Sequence, residues 1–170
     1  MQGMVDTLTA FGNWLDASAL GEMVTAYRWI WPIGEALHFV GLTMLFGTIG
    51  SLDLRVLGMA KSMPATTLHR LVPFGIAGFV TCAVTGFLFF AGEPSQYIPN
   101  GVFWIKMGFI LLAGLNVAWF YVSDVHRQVE ALGPGDDASP SAKFIAATSI
   151  VLWLGVMFWG RMLPFIGIAF

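Results

Sequence analysis

Glu35 and His38 stand three residues apart, which puts both side chains on one face of any helix that carries them. Further along, Lys106 and Arg161 interrupt stretches that are otherwise apolar. A Glu-x-x-His pair is half of a carboxylate-bridged di-iron motif, but that chemistry needs a second such pair and two further carboxylates, and no other apolar stretch supplies them. A lone histidine in an apolar helix suits a haem iron instead, because one imidazole nitrogen ligates the metal and the porphyrin needs only a slot between helices. The small residues Gly75, Gly78, Cys82, Thr85 and Gly86 recur at helical spacing and would let a flat macrocycle approach a backbone. Lys106 and Arg161 could then pair with its propionates. Met162, Met107 or nothing would supply the sixth ligand, so His38 and Met162 are the expected metal ligands of a haem b. Small residues also serve direct helix–helix contact in membranes, and a haem-free protein stays open on that ground.

These residues sit on four apolar stretches of about 20 residues, the length a helix needs to cross a hydrocarbon core of roughly 30 Å. They are 29–52, 71–91, 102–122 and 144–170. The chain is 57% hydrophobic and 11% charged, with a mean hydropathy of +0.77, which is a membrane composition. The fold class expected is all-α, a four-helix transmembrane bundle forming one domain over 1–170. Before the first span, Met4, Leu8, Phe11 and Leu15 recur at helical spacing, predicting a short interfacial amphipathic helix over 4–16. No basic start precedes Asp6, Asp16 and Glu22, so this helix is not expected to be a cleaved signal peptide. The Gly, Pro and Ser content of 131–142 reads as a flexible loop, and Ser139-Pro140 as the cap of the last helix.

Charge orients the spans. Arg55, Lys61, Arg70, Arg127 and Lys143 fall in the two loops on one side, so that side is expected to be cytoplasmic and both termini periplasmic, in a bacterial inner membrane. At 1.5 Å per residue, counting from the periplasmic ends puts Glu35 at ~10 Å, His38 at ~15 Å, Lys106 at ~8 Å, Arg161 at ~14 Å and Met162 at ~12 Å. Ionisable groups from three helices would share one layer. A charge facing lipid costs about 2.5 kcal/mol or more, so Glu35 is expected to meet Lys106, Arg161 or both inside the bundle. One carboxylate against two cations leaves positive charge unanswered, like half of an anion site. An ion-pair cluster that only fixes helix register explains the same residues, and Lys106 can also snorkel to the interface.

Other residues are read more plainly. His69 and His126 fall at the cytoplasmic ends of helices two and three, in solvated or headgroup-contacting roles. Asp53 and Arg55 end the first span as interface anchors, with Arg55 at the headgroups and Asp53 paired with it or with Arg70. Asn116, in the middle of helix three, needs an interhelical partner and with Gly78 is counted among residues bordering a cofactor. Trp29, Trp31, Tyr97 and Trp104 form an interfacial belt, and Pro164 is expected to free the carbonyl of Gly160. The nine methionines are scattered, which argues against a copper site. A single cysteine and a net charge of −2, with no basic run, exclude an intrachain disulfide and give nucleic acid no phosphate-binding surface. No nucleotide-binding loop or nucleophile–base pair is visible, so a redox or ligand-binding subunit is expected rather than a stand-alone enzyme.

The runs Asn13-Trp-Leu-Asp-Ala-Ser18, Trp31-Pro-x-x-Glu35-x-x-His38-x-x-Gly41-Leu and Asp53-Leu-Arg-x-Leu-Gly58 resemble a family of small four-helix bacterial inner-membrane proteins catalogued as a domain of unknown function. Lys106, Gly114-Leu-Asn116 and Gly160-Arg161 look similar too, so most of the chain is covered. Members of that family often carry a histidine about five residues after the helix-three Asn, a position held here by Tyr121; the departure argues against a second haem near the cytoplasmic face. The resemblance implies fold and location but no activity. Three functions compete. One is a b-type haem protein passing electrons between the quinone pool or another donor and a periplasmic redox or metal-binding partner. Another is a haem-free module taking a small anion or metal ion at the Glu35/Lys106/Arg161 layer. The last is a structural subunit of a homo-oligomer or larger membrane complex.

Overall fold

The computed structural model describes residues 2–166, with side chains from Thr7 onward. Met1, the side chain of Met4 and the last four residues expected in the fourth span lie outside the described residues. The described chain is helical throughout: α1 (Gln2–Asp16), α2 (Ala19–Ala26), α3 (Ile30–Val56), α4 (Ala65–His69), α5 (Val72–Gly92), α6 (Pro94–Tyr97), α7 (Gly101–Val122), α8 (Val125–Glu130) and α9 (Pro140–Met162). Four segments are long and apolar enough to cross a membrane: Ile30–Val56, Ala65–Gly92, Gly101–Val122 and Pro140–Met162. The bundle exposes large apolar side chains around its flanks, Phe39, Phe74, Leu111, Leu115, Val151 and Phe158 among them, as suits a lipid surround. This is an all-α bundle of a multi-pass membrane protein. Its terminal end carries α1, α2 and α6; its loop end carries residues 57–64, α4, α8 and the segment leading into α9.

Helix pairing divides the bundle. α3 packs along α5 and α7 along α9, α3 and α9 join the two pairs, and α5 meets α7 through side chains, with Phe90 stacked on Phe103 at 5.7 Å between centroids. Glycine sets the α3–α5 crossing. A Cβ on Gly78 would lie 2.5 Å from the Gly41 carbonyl oxygen and 2.7 Å from the Leu45 nitrogen, so the two backbones are in direct contact. Close approach of this kind stands in for the hydrophobic drive that lipid removes. Gly78 therefore offers no wall to a macrocycle, and its expected place at a cofactor is corrected: α3 already fills that space.

At the terminal end, Ser18 accepts from the Gly21 amide and starts α2, whose Val24 is fully buried beneath Gly92. Gly12 seats α1 against Ile98 and Pro94, while Phe11 and Trp14 stack on its outer side with centroids 5.8 Å apart. The outward-facing apolar residues of α1 are thus Phe11 and Trp14, with Leu15 turned inward.

The loop end departs from expectation. Arg55 is fully buried, with no exposed surface. Its Nε donates to the Met63 carbonyl at 2.6 Å, and its two terminal nitrogens donate to Gly133 at 2.9 Å and Asp136 at 3.3 Å. It neither reaches headgroups nor pairs with Asp53. A guanidinium can saturate several carbonyls in one plane, which is how one side chain closes two loops at once. Residues 131–142 are accordingly no loose linker. The Gly135 amide donates to the Lys61 carbonyl at 2.8 Å, the Ala65 amide to Leu132 at 3.1 Å, and Asp137 bridges Lys61 and Lys143 at 3.1 and 2.8 Å. Ala138 enters a core with Leu52, Val56, Ala65, Leu68, Val129 and Ile145.

Candidate functional site

His38 lies in α3 two turns from its start and faces α5. Its Nδ1 is 2.7 Å from the Thr85 hydroxyl, and that hydroxyl is 2.8 Å from the Thr81 carbonyl one turn back. A threonine has one hydroxyl proton, and a carbonyl can only accept, so Thr85 donates to Thr81. With that proton so placed, the imidazole donates to Thr85 from Nδ1. Nε2 is left with a lone pair. Gly86 gives the ring its room: a Cβ there would stand 3.7 Å from the His38 Cε1. Phe89 flanks the ring with its centroid 6.0 Å away, and the Cys82 thiol donates to the His38 carbonyl at 3.4 Å.

Lys106 of α7 comes within electrostatic reach of both His38 and Cys82. Its Cε and Nζ lie against Gly160 in the last turn of α9, where helix carbonyls without intrahelical partners carry partial negative charge. No carboxylate pairs with it among the described residues. Asn100 fixes this corner by accepting from the Val102 amide at 3.0 Å and donating to the Leu163 carbonyl at 3.2 Å, joining the start of α7 to the end of α9. An asparagine before an apolar run reads as a helix cap, so half of that role was visible in sequence.

Glu35 and Arg161 are not part of this corner. Glu35 is exposed and within electrostatic reach of Tyr97, whose phenol is pushed up to about 12 by burial first, then by Glu93 and Glu35. Arg161 is exposed, with its guanidinium 4.6 Å from the centroid of the Phe165 ring. The expected ion pairs of Glu35 with Lys106 or Arg161 do not form. The expected layer therefore resolves into a His38–Lys106 corner and two outward-turned charges. Met162 is the last residue of α9, two positions beyond Gly160. Asn116 is elsewhere: buried deeper in α7, it donates to the Ile145 carbonyl of α9 at 3.1 Å, the interhelical partner its position required.

Nearer the loop end, His69 and His126 flank Tyr121. The His69 Nε2 and Tyr121 hydroxyl are 3.3 Å apart, His69 Nδ1 is 3.3 Å from Glu130, and the His126 ring centroid is 5.9 Å from that of Tyr121. Assigning both histidines separately to the interface missed their common neighbour, which lies on a third helix. No cluster of three or more His, Cys, Asp or Glu suited to a metal ion exists among the described residues.

Four membrane-length helices, paired through glycine and carrying one histidine in the polar corner, define a small multi-pass membrane protein. Residues 11–166 match the model of a family of unknown function, DUF6644, and the chain belongs to that family. No curated protein matches the chain. No solved structure matches it either.

Proposed function

We propose that this protein is a b-type haem membrane protein of the bacterial inner membrane, passing electrons between a quinone-pool or other donor and a periplasmic partner, with His38 as axial ligand. The observation that supports this most is the 2.7 Å contact of His38 Nδ1 with the Thr85 hydroxyl: with the Thr85 proton given to the Thr81 carbonyl, Nδ1 donates to Thr85 and the Nε2 lone pair is left for a metal. Metal-bound histidines ordinarily have their other ring nitrogen held in this way. Gly86 rather than Gly78 is the small residue that borders the ring. Lys106, with no carboxylate partner, is suited to a propionate. Met162 is the proposed sixth ligand. When bound, the haem supplies one-electron chemistry; His38 would hold the iron, Thr85 the ring orientation and Lys106 the peripheral charge.

Protein expressed with haem supplied and purified in detergent should show a reducible Soret band. His38→Ala should abolish it. Thr85→Val should keep the band but weaken haem affinity by about 10- to 100-fold, the usual cost of losing an outer-shell partner. Met162→Leu should shift the reduced spectrum from low to high spin. Wild-type protein with no Soret band under these conditions sinks the reading.

The unpaired Lys106 favours a second reading, a haem-free site for a small anion. Sulfate or phosphate should then raise the melting temperature of the wild type and not of Lys106→Met, in protein that carries no haem.

A further inference from the structure

On the loop side of the Gly41–Gly78 crossing, the four spans part around a cavity of about 280 Å³. It is apolar over most of its wall, with Asp53, Asn116 and Ser149 as inner polar groups. Asn116 is spent on the Ile145 carbonyl, and the Ser149 hydroxyl interacts with the Asp53 carboxyl. Asp53 is only 9% exposed, and its Oδ2 has no partner. Arg55, two residues on, is committed to three loop carbonyls and does not answer it. A buried acceptor left unpaired costs about 1–3 kcal/mol, so this oxygen wants a donor from outside the chain.

Two further features say what kind of donor. The cavity opens between α5 and α7, past Ile76 and Phe79 on one side and Val117 and Tyr121 on the other, all exposed on the bundle's apolar flank. An occupant would arrive from the bilayer and must be largely apolar. Beside that opening, Phe79 and Trp153 meet edge to face with centroids 6.3 Å apart, and Gly114, itself exposed on the flank, leaves space: a Cβ there would meet nothing within 4 Å. Aromatic walls beside an open glycine accept a flat ring more readily than a branched chain.

We propose that this cavity binds a lipid-soluble phenol or hydroquinone, whose O–H donates to the Asp53 carboxyl while its ring lies at the opening, between Gly114 and the Phe79–Trp153 pair. This site is separate from the His38 corner and does not depend on haem being bound there. The test is equilibrium binding of a radiolabelled decyl-substituted benzohydroquinone to the protein in lipid nanodiscs, repeated in the His38→Ala background. Saturable binding near one molecule per chain is expected in both. Asp53→Leu removes the acceptor and Gly114→Phe fills the ring space, and each should weaken affinity at least tenfold. Asp53→Leu leaves the Ser149 hydroxyl without its carboxyl, so its melting curve is recorded beside the wild type's, and Gly114→Phe tests the cavity without touching that carboxyl. The dimethyl ether of the same compound, which has no O–H, should not compete. Equal competition by the ether would make the cavity an acyl-chain groove, and absence of saturable binding would leave it to water or a second copy of the chain; either result overturns the proposal.

Discussion

The two ends of the bundle handle charge in opposite ways. At the loop end, Arg55 is completely buried and every one of its hydrogen bonds goes to a loop carbonyl, while Lys61, Lys143 and Asp137 brace the same loops from outside. At the terminal end, Glu35 and Arg161 are exposed and Lys106 sits against Gly160 with no carboxylate paired to it among the described residues. A guanidinium with several donors in one plane can be buried at little net cost when carbonyls are arranged around it. A lysine ammonium has no such fork and leaves its charge to be answered by a helix end or a ligand. The loop end is built to hold shape, and the terminal end keeps interaction capacity in reserve.

Arg55→Leu should break this contrast most severely. Each of three loop carbonyls loses its donor at about 1–3 kcal/mol apiece, for a total of several kcal/mol. Thermal unfolding in detergent should fall sharply, and limited proteolysis should cut within 57–64 and 131–139. A melting curve like the wild type's would mean that the guanidinium is not the clasp. Gly78→Ala comes next: its new Cβ meets the Gly41 backbone, and overpacking of this kind costs about 1–3 kcal/mol. Lys106→Met, by contrast, should leave the melting temperature close to wild type, because no ion pair is lost.

A smaller effect separates the surface braces from the buried clasp. Hydrogen bonds from Lys143 and then Lys61 hold the Asp137 carboxyl at about 2, below its ordinary 3.8. A carboxyl depressed on folding contributes stability that is full above 3.8 and is lost as the pH falls toward 2. Asp137→Asn should cost a little stability at neutral pH, where the carboxylate's contribution is full, and its stability curve should converge with the wild type's as the pH falls toward 2. The smallest effect reports on Glu35. Replacing it with Gln should lower the Tyr97 phenol from about 12, though burial and Glu93 keep it above 10.0. Ultraviolet difference titration checks this, and an unmoved Tyr97 would put Glu35 elsewhere.

Much of the architecture was legible in the residues. Four apolar runs, bounded by polar turns, could only be helices, because a bilayer forces every backbone amide to bond within its own segment. Ser139 capping α9 and the need of Asn116 for an interhelical partner were also readable, the first from a local cap rule and the second from the cost of an unpaired amide in lipid. Depth along a helix was readable too, and it brought His38 and Lys106 to one end. Direction around the helix was not. Glu35 is one turn from His38, yet it is exposed while His38 meets Thr85, because the α3–α5 contact is fixed by Gly41 and Gly78.

The loop end shows the same limit more strongly. Asp53-Leu-Arg55 looked like an interface anchor because both charges end an apolar run. Only the folded segment 131–138, about 80 residues away in sequence, supplies the carbonyls that bury Arg55 and so leave the Asp53 oxygen alone in its cavity. Hydrophobicity acts residue by residue and sets the spans without reference to distant chain. Which polar group finds a partner depends on loops that return from far along the sequence, and tertiary structure alone decided that.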